Sequence, residues 1–192
     1  LSDLFTILIL YAIVSRLYDR RVALLASLFS ALTVMQIQQS HFFTTDLFVN
    51  PFAFLAIYFA VEIVLHVEKK PETADSSILQ FSNPRSLFSN YKLLITHPFF
   101  LLSLAFGVAY GMALASKVNI YPLAVLLPGA FALRFFHDRK NQESFNTQNW
   151  LTGHWSLITA CLIAGGLAAL ISFRVFQPYA FDGIGLNPQW VA

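Results

Sequence analysis

Six apolar runs, at about 1–17, 22–39, 47–66, 98–116, 119–136 and 155–174, dominate this sequence. Each approaches the roughly 20 residues that an α-helix needs to cross about 30 Å of hydrocarbon. Runs of that length leave few architectures open. Lipid cannot satisfy backbone N–H and C=O groups, so a chain of this kind must bond them within helices. The expected fold is all-α: a polytopic transmembrane helical bundle of about six spans, forming a single transmembrane domain over 1–192. The start inside an apolar run, at Leu1 and without a methionine, suggests a fragment of a larger membrane protein.

Charge sorts the connectors. Arg16, Arg20 and Arg21 crowd the first turn, Lys69, Lys70, Arg85 and Lys92 lie in 67–97, and Arg134, Arg139 and Lys140 lie at or just beyond the end of the fifth run. With strict alternation, these ten of the twelve Lys and Arg fall on one side, and only Lys117 and Arg174 on the other. The positive-inside rule then makes 67–97 and 138–153 cytoplasmic loops. It makes 175–192 an extracytoplasmic loop of a multi-pass protein of the plasma (inner) membrane. A short surface helix near 86–95 is expected in the first of these loops. Charged residues are only 11% of the chain and the net charge is +2, which gives no argument for a nucleic-acid partner. The single cysteine, Cys161, lies in an apolar run and reads as packing.

The sparse side is where chemistry is sought, because an ionisable group near hydrocarbon usually faces a cavity or a partner. Gln36, Gln39 and Ser40 lie at helical spacing and lead to His41 and Asp46. Asp46 can serve a helix N-terminus or orient a substrate. Gly107, Gly111 and Ala115 recur every four residues, a stripe suited to close helix packing. They precede Lys117, which either snorkels to headgroups or receives a phosphate. Arg174, in FRVFQPYAF with Tyr179, can bind phosphate bidentately, or the segment can be an aromatic belt. Asp182 continues that tail. No nucleotide-binding loop, hydrolase elbow or metal-protease motif occurs, and the remaining histidines show no metal-ligand spacing.

The stretch from Tyr11 to Phe59, YAIVSRLYDRRVALLASLFSALTVMQIQQSHFFTTDLFVNPFAFLAIYF, resembles the membrane core of family 39 glycosyltransferases, the protein mannosyltransferase and aminoarabinose transferase relatives. GVAYGMALASKVNIYPLAVLLP is similar to that family's small-residue helix ending in a Ser/Thr-Lys pair, and FRVFQPYAF to a later segment. The resemblance implies a GT-C fold with an extracytoplasmic active site. It implies a membrane enzyme that transfers a sugar from a polyisoprenyl-phosphate donor to a protein or lipid acceptor. Asp46 matches a supporting acid, and Lys117 a lysine at the carrier phosphate or pocket wall. The family's principal acid lies in an outer loop ahead of the first run, so these residues alone should be catalytically incomplete.

The candidate substrate-binding residues are Lys117, Arg174, His41, Gln39 and Tyr179. Some relatives use a divalent metal, but no residues here are assigned to one. Two alternatives remain: a transporter or lipid flippase, for which Glu62 is the candidate ionisable group within a span, and a non-catalytic scaffold subunit.

Overall fold

The computed structural model describes residues 2–34, 37–38, 46–66, 97–141 and 147–181, and for 140, 141 and 147–153 the backbone alone. Among these residues the fold is all-helical. The helices are α1 (Ser2–Leu17), α2 (Arg20–Ala31), α3 (Asp46–Leu65), α4 (Pro98–Ser116), α5 (Leu126–Asn141) and α6 (Thr147–Phe176). A 3-10 segment, Val118–Val125, leads into α5, and another, Pro178–Ala180, follows α6.

Four stretches are long and apolar enough to cross a membrane: Asp46–Leu65, Pro98–Ser116, Val118–Arg139 and His154–Phe176. The expected count of six is not reached among the described residues. α1 has 16 residues and α2 only 12, which at about 1.5 Å per residue reach about 24 and 18 Å. The length of α2 is set locally at each end. Asp19 caps α2, its Oδ1 accepting from the Arg20 N–H at 2.8 Å, so α2 begins within the basic turn. It ends at Leu32, whose N–H bonds Leu28 O. The helices also enter the stretch expected as the connector 138–153, since α5 runs to Asn141 and α6 starts at Thr147.

Contacts between helix ends fix their directions. Ser2 Oγ donates to Leu47 O at 2.7 Å, and Arg16 Nε pairs with Glu62 Oε1 at 2.8 Å, so α1 and α3 run parallel. The first of these bonds has its origin in Pro51. Proline carries no N–H, so the carbonyl four residues earlier, that of Leu47, loses its helical donor and takes the serine hydroxyl instead. Within the second contact, Arg16 also reaches the Tyr58 hydroxyl.

α4 runs antiparallel to α3: the His66 and Phe99 rings meet at one end, 5.4 Å apart, while Lys117 meets Asp46 at the other. α6 is parallel to α4. Gly107 lies against Gly165, Gly111 lies against Ala169 and Ser172, and Ser172 Oγ donates to Val108 O at 3.0 Å. The close-packing stripe is thus Ser103, Gly107 and Gly111, with Cys161 buried beside Ser103. Ala56, Ile63, Phe106, Phe131 and Leu157 belong to one core shared by α3, α4, α5 and α6.

These directions alternate along the chain and give the bundle two unlike ends. Arg16, Arg20, Arg21, Arg134 and Arg139 gather toward one, with Glu62, His66 and His97. Lys117 and Arg174 lie toward the other, in keeping with the sorting of charge along the sequence.

Candidate active site

The sparse end is built from the first turns of α1 and α3 and the last turns of α4 and α6. Asp46 opens α3, where the positive end of the helix dipole favours a carboxylate. Lys117 is the single residue between α4 and the 3-10 segment. Its position is held from both sides: its N–H bonds Ala113 O at 3.0 Å, and Tyr110 Oη donates to Tyr121 O at 3.0 Å across the turn. The ammonium therefore projects from a short, pinned turn, and it forms an ion pair with the Asp46 carboxylate.

Residues 71 positions apart thus meet at one point. The side chains keep 44% and 35% of their exposure, so the pair can be reached from outside the bundle. At the opposite end a different pair, Arg16 and Glu62, joins α1 to α3, and the carboxylate there is 17% exposed.

Arg174 lies at the same end as Lys117, in the last turn of α6, but its guanidinium turns to its own chain. Nη1 donates to Pro178 O at 3.1 Å, and the group sits 5.0 Å from the Phe181 ring centroid. Phe173 packs edge-on against the same ring at 5.7 Å. Arg174 so folds 177–181 back over the helix end, leaving Tyr179 85% exposed in the manner of an interfacial aromatic. Gln39, His41 and Asp182 lie outside the described residues. Among those described, no group of three His, Cys, Asp or Glu is placed to hold a metal ion.

One acid escapes the sequence reading. Asp3, in the first turn of α1, belongs to the sparse end, and its Oδ1 is buried with no hydrogen-bond partner among the described residues. Its neighbour Ser2 is bonded to Leu47, so Asp3 and Asp46 occupy the first turns of two helices fastened together. The available signal was a carboxylate within an otherwise apolar run.

The sequence profile of the dolichyl-phosphate-mannose-protein mannosyltransferase family matches residues 1–71. The match points to a mannosyltransferase-like family and covers α1, α2 and α3 with Asp46, but not Lys117. With four apolar helices, it indicates an integral membrane protein of glycosyltransferase-like function. Neither the curated proteins nor the solved structures searched contain a match.

Proposed function

We propose that the chain is the membrane core of a GT-C type glycosyltransferase of family 39, which transfers a sugar from a polyisoprenyl-phosphate carrier to a protein or lipid hydroxyl. The observation that supports this most is the Asp46–Lys117 pair: a carboxylate and an ammonium, half-exposed together at the end of the bundle poorest in charge. Glycosyl transfer from a phosphate needs both signs. The acceptor oxygen attacks the anomeric carbon as the bond from that carbon to the phosphate oxygen breaks. The hydroxyl proton passes to a carboxylate, with Asp46 in support, and a cation offsets the charge that grows on the leaving phosphate. Lys117 is that cation. Backside attack gives inversion at the anomeric carbon.

Arg174, Tyr179, His41 and Gln39 complete the proposed binding residues. Arg174 acts in this reading by holding the 177–181 turn beside the site, which brings Tyr179 to the membrane surface. Glu62, on which a transport reading would lean, is already neutralised by Arg16.

Lys117→Ala in the full-length enzyme should lower kcat/KM for a polyisoprenyl-phosphate sugar about a hundredfold to a thousandfold, in line with the loss of one charge-stabilising group. Thermal unfolding of the variant should stay near that of the parent, since a half-exposed ion pair contributes only about 0–1 kcal/mol. Unchanged turnover would remove Lys117 from the mechanism.

The reading also places the Lys117 end outside the cytoplasm. In a Cys161→Ala background, a cysteine at Val118, which is 58% exposed, should react with a membrane-impermeant maleimide applied to spheroplasts. A cysteine at Arg20 should react only after permeabilisation. Reaction of both from one side would contradict the orientation.

A further inference from the structure

We propose that the Asp46–Lys117 ion pair is a latch opened by the phosphate of a polyisoprenyl-phosphate ligand, which takes over the lysine and leaves the carboxylate unpaired. This rests on the glycosyltransferase reading above and adds to it a competition inside the site.

Three features support the latch. The first is accessibility: with 44% of the Lys117 side chain and 35% of the Asp46 side chain exposed, an anion can approach the ammonium without prior movement of the helices. The second is the balance of the exchange. An exposed Lys–carboxylate pair is weak. The phosphate offers the same ammonium an equal charge and oxygen count as the sugar-bearing diester, and more of both as the free monoester. Lysine is also suited to changing partners, because its charge is a point at the tip of a flexible four-carbon stem.

The third is that the two members are anchored unequally. Asp46 sits on a turn tied to α1 by the bond from Ser2 Oγ to Leu47 O, at 2.7 Å, so the carboxylate stays in place when its partner leaves. Lys117 needs only to rotate its side chain above a fixed turn. Once released, Asp46 is left without its cation on a turn that stays fastened to α1. Donor binding therefore prepares the carboxylate that supports acceptor activation. Without donor, the site stays self-neutralised.

The latch makes an unusual demand on mutants: removing the acid must improve ligand binding. Full-length protein in nanodiscs, titrated with farnesyl phosphate, should show Asp46→Asn binding about two- to fivefold tighter than the parent, the gain expected when a weak internal competitor is lost. Asp46→Glu, which keeps the competing charge, should stay within about twofold of the parent. Asp46→Ala gives the same readout as asparagine should that variant misfold. Lys117→Ala should bind at least about tenfold more weakly.

The outcomes separate the two claims. If Lys117→Ala binds farnesyl phosphate normally, the site reading itself fails. If Lys117→Ala weakens binding but neither Asp46→Asn nor Asp46→Ala tightens it, the latch alone is overturned. Inorganic phosphate tests the source of the anion. Tightening confined to farnesyl phosphate supports a lipid-borne ligand, and equal tightening with free phosphate overturns that assignment.

Discussion

Gly107→Ala should destabilise the bundle by about 1–3 kcal/mol, and Gly107→Leu should prevent α4 and α6 from docking at all. A Cβ built at Gly107 would lie 2.2 Å from Gly165 O and 2.9 Å from Ala168 Cβ. Neither atom is the movable tip of a side chain, so relief requires the two helices to separate. Gly111 is similar, with Ala169 O at 2.5 Å and Ser172 Cβ at 2.6 Å. Separation would also break the Ser172–Val108 hydrogen bond, which forms only because the backbones approach so closely. In lipid there is little hydrophobic gain in bringing two apolar helices together, so this contact carries much of their association.

An internal control lies on α6. Gly166, next to Gly165, has nothing within 4 Å of the position a β-carbon would take. Gly166→Ala should be neutral, or stabilising by up to about 1 kcal/mol through helix propensity. Thermal unfolding in a single detergent compares the two glycines directly. Equal melting behaviour of Gly107→Ala and Gly166→Ala would refute the packing account.

Arg134→Leu should cost about 2–6 kcal/mol, since it leaves two carbonyls without their donor at about 1–3 kcal/mol each. Arg134 is 8% exposed. Its Nη1 donates to Ile63 O at 3.1 Å and to His66 O at 2.6 Å, and the guanidinium carbon lies 4.2 Å from the Phe99 ring centroid. The end of α3 leaves carbonyls without helical donors, and this side chain from α5 supplies them. Lysine is a poor substitute, because its ammonium cannot lie flat on the Phe99 ring as the planar guanidinium does. Arg134→Lys should recover less than half of the loss. Asp138 lies 3.7 Å from Arg134 Nε, so Asp138→Asn should cost only a few tenths of a kcal/mol. Equal losses for Asp138→Asn and Arg134→Leu, read by unfolding in one detergent, would shift the credit from the carbonyls to the ion pair.

Hydropathy locates the longer helices well, since lipid length and backbone bonding leave little freedom: the run at 47–66 becomes a helix over 46–65, and 98–116 agrees at both ends. Within 22–39, α2 itself ends at Ala31, and residues 34, 37 and 38 are helical again, with the Ile37 N–H bonded to Thr33 O. Arg134 reads in the sequence as a connector charge, although α5 continues beyond it to Asn141 and turns it onto the end of α3. Composition records that an arginine follows an apolar run. Which neighbour receives it is a property of packing.

The site divides in the same way. Asp46 and Lys117 each stand out as isolated charges on the sparse side, but nothing in either segment announces that they meet. Arg174 has the chemistry of an anion ligand, yet a carbonyl and a ring within seven residues take it first. Asp3 is absorbed into its apolar surroundings and becomes visible only through an oxygen that has no partner among the described residues.

The parallel docking of α4 and α6 has a consequence for biosynthesis. About sixty residues separate Ser116 from Phe176, roughly three to twelve seconds of translation at about 5–20 residues per second. Throughout that interval α4 sits in the bilayer with its notch of glycines facing acyl chains, and the helix made next does not fill it. Lipid must be evicted when α6 arrives. A ribosome stalled within α6 would leave the notch open to any small-faced helix nearby, so this is the stage at which assembly is most exposed to a wrong partner.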